Sequence, residues 1–392
     1  MYTFNELQYL DLEASSLCNA LCAICNRRYA GGQKVENMVE TYITFDQFKD
    51  WFTSDFLKNL RGISLCGNYG DPMTNPELLD ILRYTKDINP GIEITMNTNA
   101  SGRTPAFWRE LSEIINTNGH LTFSVDGLKN TNWIYRRGTK WDKIITAMES
   151  YASGPGISKW EFLVFKHNQH QVEEARHLAE KIGINKFYAK EAFGFEDTMI
   201  NNDKKSSFGV YNEQNNFLYS IHAPDGQSYD KEIIQDIVRG NQNPDTKNKH
   251  VKFKYNASAP LNDWEVKLGN TCIDCQVFDK RSVFVTAEGL VFPCCMTAGK
   301  LYAPGTPEAV QLREFVNSRG RDKISLNDNT LESIVNSKIF QNDWPDNWRD
   351  NDVRNKRLRV CSMFCGKETN QTWEKISESV DNLYMPHTNT DG

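Results

Sequence analysis

The chain has 392 residues, 39% of them hydrophobic and 24% charged, which fits a soluble globular protein with room for one large domain plus a smaller one. The formal net charge is −6, from 45 basic and 51 acidic side chains, and no long basic run occurs, so nothing argues for non-specific binding to nucleic acid or an anionic membrane. The stretch from Met1 to Leu12 is too polar for a signal peptide and no apolar run reaches membrane-spanning length, so a cytoplasmic location is expected.

Apolar, β-prone runs occur at Tyr9–Glu13, Gly62–Cys66, Ile92–Met96, Leu121–Val125, Trp160–Phe165 and Lys186–Ala189. Segments with helical spacing lie between them. One covers about Phe45 to Leu57; another starts after Asn75, a good N-cap, with Pro76 at N1; a third runs through Val172, Ala175, Leu178 and Ile182 and stops at Gly183. Six strands with helical crossovers predict a parallel sheet, doubly wound or a partial (β/α) barrel, with the chemistry at the C-terminal ends of the strands. The alternation fails from about Asn201 to Pro260, a polar stretch read as a connection or insertion with some helix near Lys231–Val238. Beyond it, Ser282–Thr286 and Leu290–Phe292 around Gly289 predict a hairpin.

The ten cysteines are clustered, which in a reducing compartment points to metal binding or catalysis before disulfides. Cys18, Cys22 and Cys25 form a C-x3-C-x2-C loop directly after the first strand. Three thiolates on a short loop hold three irons of a cubane and leave the fourth iron open to a bound molecule. Structural zinc prefers four tetrahedral ligands, commonly as paired C-x2-C knuckles, and suits this loop poorly. Cys66 stands alone and reads as a small buried residue at a strand end.

The spacing, its place after the first strand, and Asn19 resemble the radical S-adenosylmethionine (SAM) superfamily. That resemblance covers about residues 5–190 and implies a partial (β/α)6 TIM-type barrel whose open iron chelates SAM. Cleavage to a 5′-deoxyadenosyl radical and hydrogen abstraction from a substrate are then expected. The residue before the third cysteine, usually aromatic in that family, is Ile24 here, and is expected near the adenine. Gly70-Asp71-Pro72 is similar to the family's Gly-Gly-Glu-Pro segment at the SAM amino group, with a shorter acid; without the family it reads as a tight turn. Asn99 lies in a segment like the family's Thr-Asn-Gly, and Ser124 and Asp126 in one like Ser-x-Asp-Gly. Arg136 is the first choice for the SAM carboxylate, with Arg137 left open.

Six cysteines follow position 270: Cys272, Cys275, Cys294, Cys295, Cys361 and Cys365. The C-x13-G-x4-C spacing of Cys275, Gly289 and Cys294 looks like the opening of the SPASM and twitch extensions of radical SAM enzymes, which implies a smaller C-terminal auxiliary-cluster domain. Six thiols suit one auxiliary [4Fe-4S] cluster, with ligands among Cys272, Cys275, Cys294 and the Cys361/Cys365 pair; a zinc ribbon is the alternative. The expected organisation is a core over 1–200, a connection over 201–260 and an auxiliary domain over 261–392. The resemblance further implies a peptide or protein substrate, or else a carbohydrate-derived small molecule, and an electron donor such as flavodoxin or ferredoxin. No catalytic base is assigned: Tyr69, Lys190 and Glu191 read more readily as structural or solvated groups. A non-catalytic zinc-binding scaffold is the reading of another class.

Overall fold

The computed structural model describes residues 1–192, 207–225, 260–303, 306–367 and 369. The first 192 residues alternate strand and helix: β1 (Tyr9–Leu12), α1 (Phe45–Trp51), α2 (Ser54–Asn59), β2 (Gly62–Leu65), α3 (Leu78–Ile88), β3 (Glu93–Thr98), α4 (Pro105–Ile115), β4 (Gly119–Ser124), α5 (Asn132–Tyr135), α6 (Trp141–Ala152), β5 (Ser158–Val164), α7 (Val172–Ile182) and β6 (Lys186–Glu191). A hairpin follows, β7 (Ser207–Tyr211) with β8 (Phe217–His222). The C-terminal part holds α8 (Asp263–Asn270), α9 (Gln276–Lys280), β9 (Ser282–Val285), β10 (Val291–Phe292), α10 (Cys295–Ala298), α11 (Pro307–Arg319), α12 (Leu331–Val335), α13 (Trp344–Asp346) and α14 (Arg359–Cys365).

Strands β1 to β6 are parallel and lie side by side in chain order. A doubly wound sheet reverses its order at a switch point; this one does not, so its topology is that of an open (β/α) barrel. Each strand places alternate residues against the helices. In β1, Leu10 and Leu12 are wholly buried, while Tyr9 and Asp11 face the other way and are partly exposed. Local signals start and stop the helices, and the stop expected at Gly183 is among them. Thr44 and Gln47 form a capping box at α1, Thr104 with Pro105 starts α4, and α7 ends at Gly183 with φ +92°.

Several expectations are corrected. The helix predicted from Phe45 to Leu57 is two helices, because Phe52 and Thr53 turn extended and Thr53 caps α2. α3 begins at Leu78, not at Pro76. Asn75 is instead wholly buried: its amide donates to the carbonyls of Ala14 and Ile43 at 3.0 and 2.9 Å and its side-chain oxygen accepts from the Glu77 amide at 2.8 Å. The polar stretch read as patternless contains β7 and β8, while the helix predicted near 231–238 lies outside the described residues.

The predicted hairpin around Gly289 forms, with φ +89° at the glycine, but it has no sheet of its own. β9 pairs in parallel with β1, Tyr9 opposite Ser282 and Leu12 opposite Val285, extending the barrel sheet to eight strands. One hydrophobic core runs from Leu10 through Trp160 to Phe292, Trp344 and Val360, so the cysteine-rich segment and the barrel strands share it. No helix among the described residues is long and apolar enough to cross a membrane.

A buried ionic network holds α14 in place. Glu265 on α8 pairs with Arg354 at 2.6 Å and Arg359 at 2.8 Å, and Arg359 also reaches Glu308 at 3.2 Å. Burial alone would raise the Glu265 pKa; the hydrogen bonds from Arg354 and Arg359 outweigh it and hold the carboxyl at about 2. The folded value lies below the ordinary carboxylate value of about 4.3, so the stabilisation is complete above that pH and is lost as pH falls toward 2. Glu265→Gln is therefore expected to cost about 3 kcal/mol at pH 7 in urea unfolding, and to flatten the wild-type loss of stability between pH 4 and 2. An unchanged acid slope in the variant would show that the carboxylate contributes nothing.

Candidate functional site

The loop after β1 wraps back over the C-terminal ends of the strands and carries Cys18, Cys22 and Cys25. It is tied down by backbone bonds, the Leu21 amide to the Arg137 carbonyl at 2.7 Å and the Asp71 amide to the Leu17 carbonyl at 2.8 Å. Arg27, itself 2% exposed, donates to the carbonyls of Ser16 and Tyr69 and pairs with Glu40. The three thiols face one another closely enough for each to feel a neighbour's charge. Burial pushes the Cys18 thiol up to about 12, with the charges of Asp71 and Cys22 adding to it. Cys22 is pushed up to about 11 by burial, which Arg136 opposes, and burial also raises Cys25. Thiols in this condition ionise only when a metal displaces their protons.

Polar side chains from the following strands turn onto these sulfurs. The Asn99 amide lies 3.7 Å from Cys18 Sγ and 3.0 Å from Asn19 Oδ1. One Arg136 nitrogen lies 3.9 Å from Cys22 Sγ, while its Nε donates to Asp126 at 2.6 Å. Arg137 points elsewhere, to the carbonyls of Gly31 at 3.2 Å and Tyr211 at 2.9 Å, so of the two arginines the geometry brings only Arg136 to the thiols. Ser124 is half-buried at the end of β4. Ile24 packs against a small apolar cluster formed by the loop, α5 and the β7–β8 hairpin, including Ala20, Tyr135, Val210 and Ile221.

Asp71 and Asp126 lie in the site but spend their oxygens on protein donors. Asp71 accepts from the amides of Met73 (3.1 Å) and Asn99 (2.7 Å) and from the Thr98 hydroxyl (2.8 Å). Asp126, wholly buried, accepts from the Leu163 amide at 2.7 Å and from Arg136. Gly70 is required by close approach: a Cβ there would lie 1.8 Å from the Ser15 carbonyl oxygen. Sequence reasoning missed Glu13, which is 2% exposed and accepts from the amides of Tyr69 at 2.6 Å and Gly70 at 3.3 Å. Its one signal was an acid on a strand next to the cysteine loop.

A second group gathers Cys275, Cys294, Cys361 and Cys365. Cys275 is pushed up by its hydrogen bond to Cys365, by burial and by the charges of Cys365, Cys294 and Cys361. Cys361 and Cys365, both on α14, thus sit together in the group, which sequence spacing left open. Cys272 is exposed, and no principal charge acting on the other four belongs to it. Cys295 lies near Cys294, and also near Cys66 and Asp11. Among the described residues no set of three or more His, Cys, Asp or Glu side chains is placed to hold a single metal ion; a four-iron cubane is wider than one ion and spreads its thiolates farther apart.

The two cysteine groups are stitched together at α10. Asn26 donates to the Gly299 carbonyl at 3.2 Å and Asn68 to the Cys295 carbonyl at 2.9 Å. Tyr69, 3% exposed, donates its hydroxyl to the Ala298 carbonyl at 3.3 Å and accepts from the Tyr302 amide at 3.0 Å.

Gly70→Ala is expected to lower stability toward urea by about 1–3 kcal/mol through overpacking. Gly91→Ala, where the nearest atom to a new Cβ is 3.7 Å away, is the control expected to cost little. Equal stability of the two variants would refute the close approach.

Residues 12–185 match the family model described as Radical SAM superfamily. No curated protein matches the chain. Solved structures with a similar fold include Streptococcus suis SuiB bound to S-adenosylmethionine, 13% identical with TM-score 0.43, covering 75% of this chain and 61% of that one. Others are anSMEcpe with bound AdoMet and Cp18Cys peptide (14% identical, TM-score 0.46, 92% and 88% covered) and BtrN in complex with AdoMet and 2-DOIA (13% identical, TM-score 0.40, 93% and 95% covered). The chain therefore spans about 61% of the length of SuiB. Residues 12–185, rather less than half of the chain, are thus similar to the radical SAM superfamily.

Proposed function

We propose that the chain is a radical SAM enzyme with one auxiliary [4Fe-4S] cluster, acting on a peptide or protein side chain. The observation that carries the reading is the trio Cys18, Cys22 and Cys25 with Asn99 and Arg136 turned onto the sulfurs, inside the residues that match the family. The donor set fits a cubane with one open iron: three thiols on one loop, and beside them neutral and cationic groups in place of a fourth. The chemistry supplied by such a cluster and SAM, when bound, is reductive cleavage of the sulfonium and hydrogen-atom abstraction from the substrate.

The residues of the chain have separable tasks. Arg136, held by Asp126, presents a guanidinium for the carboxylate of SAM. Asp71 acts through the backbone: it fixes Asn99 and the turn after Gly70, and so leaves the backbone of that turn to face the amino group. Ser124 and Asn99 offer hydrogen bonds to the ribose side, and Ile24 an apolar surface to the adenine. Cys275, Cys294, Cys361 and Cys365 are the four ligands of the auxiliary cluster, with Cys272 outside it. That cluster is suited to take up an electron from the substrate or to orient it, and a flavodoxin or ferredoxin supplies the electron that starts each turnover.

The test is anaerobic reconstitution with iron and sulfide, then dithionite and SAM. The wild type is expected to hold about eight irons and form 5′-deoxyadenosine. Replacing Cys18, Cys22 and Cys25 together by Ala should leave about four irons and abolish 5′-deoxyadenosine. Replacing Cys275, Cys294, Cys361 and Cys365 should also leave about four irons but retain SAM cleavage, whereas Cys272→Ala should keep the full complement. A folded protein that takes up zinc but no iron and forms no 5′-deoxyadenosine would refute the enzyme and favour a zinc-binding scaffold.

A further inference from the structure

We infer that Asp11 is the anchor for a cationic group on the substrate, so that the substrate of the reaction proposed above carries an amine or guanidinium. The inference rests on that proposal for the reaction, but the carboxylate is identified on separate grounds.

The inner face of the barrel is polar. On β1 the wholly buried Leu10 and Leu12 pack outward, which turns Asp11 inward. Cross-barrel proximity supports the same orientation: the Cys66 thiol, just past β2, feels the charges of both Asp11 and Glu161, and Glu161 lies on β5, three strands away in the sheet. Side chains so far apart along the sheet meet only across its enclosed face.

Some other charged side chains on this face have partners. Glu161 pairs with Lys190 at 2.7 Å, and Lys159 lies 3.0 Å from His120. Asp11 differs. Among the described residues no group donates a hydrogen bond to its carboxylate, and the one cation that lowers its pKa, Lys280, does so from a distance. Burial therefore prevails and raises the Asp11 carboxyl to about 6. A half-buried carboxylate without a counter-ion is unfavourable on its own, and a cation brought to it recovers that cost.

Its place is also the right one for a substrate. Cys295, at the start of α10, feels Cys294, Cys66 and Asp11, so Asp11 lies on the wall that the C-terminal segment covers. The opposite wall, on β5 and β6, carries Lys159, Lys186 and Lys190. The chamber thus has a negative side and a positive side. A substrate with an amine directed to β1, and neutral or acidic groups directed to β5 and β6, matches this polarity.

The test uses the reconstituted holoenzyme with SAM and no reductant, so that binding is read without turnover. The probes are acetyl-Gly-Lys-Gly-amide against its Nε-acetyl-lysine and Glu counterparts, and glucosamine against N-acetylglucosamine. The peptide and sugar arms separate a polypeptide source of the amine from a small-molecule one. The wild type is expected to bind at least one amine about tenfold or more tightly than its acetylated partner, and Asp11→Asn to remove the preference while iron content and SAM affinity stay at wild-type levels. Asp11→Glu, which restores the charge, should recover most of it and serves if the Asn variant folds poorly. Equal binding of amine and acetylated probes by the wild type, or an unchanged preference in Asp11→Asn, overturns the inference. A wild type that forms no 5′-deoxyadenosine after dithionite, yet still selects the amine, would refute the proposed reaction and leave the Asp11 site standing.

Discussion

The four residues Tyr9–Leu12 are hydrogen bonded on both edges, to β2 on one side and β9 on the other, and the geometry of both cysteine groups depends on that double pairing. On the β2 side, the pairing sets the height at which the chain leaves the strand and enters the loop with Cys18, Cys22 and Cys25. On the β9 side it delivers the hairpin whose far strand runs straight into Cys294 and α10. Both register choices are coupled, because a one-residue slip in β1 would turn Leu10 and Leu12 into the barrel and Asp11 into the core. Few short strands carry so much of a fold.

Buried carboxylates do the positioning around the first cysteine loop, and each solves the problem of burial in its own way. Asp71 is held by two amides and a hydroxyl, and Asp126 by an amide and a guanidinium. Glu13 has amide donors only, and burial raises it to about 7 despite them. Neutral donors compensate a buried charge less well than a paired guanidinium does. The arrangement places the strongest pairing, Asp126 with Arg136, where a side chain is aimed at the Cys22 thiol, and the weaker amide sets where a backbone turn is kept closed.

Much of this was legible in the sequence where the signal is local. The strand runs, the stop at Gly183 and the cysteine loop depend on residues a few positions apart, and their spacing carries the information. What escaped was set by contacts distant in sequence. Asn75 has the composition of a helix cap, yet the carbonyls of Ala14 and Ile43 claim its amide and the helix starts later. The Gly289 hairpin was readable as a hairpin, but nothing in its alternation says that its outer edge meets β1, some 270 residues earlier. Among the C-terminal cysteines, the C-x2-C pair drew attention to Cys272, whereas the fold gathers Cys361 and Cys365 because α14 is pinned by Arg359 to Glu265 and Glu308. The hairpin at 207–222 was missed because its apolar positions, Val210, Tyr219 and Ile221, are few and serve a small cluster over the cysteine loop.

The parallel pairing of β1 with β9 has a consequence for how the chain comes off the ribosome. β1 is made well before β9, so one of its edges stays without that partner until Val285 has emerged. For most of synthesis, then, a strand with open backbone groups sits at the border of a nearly complete barrel, the condition in which strands add to the wrong neighbour. Closing it requires a loop of about 270 residues, a slow step for a polypeptide. The barrel therefore passes through a nascent stage with its C-terminal wall missing and the first cysteine loop accessible from that side. The thiols of that loop are most open to solvent at that stage, before α10 and its stitches to Asn26, Asn68 and Tyr69 close that side.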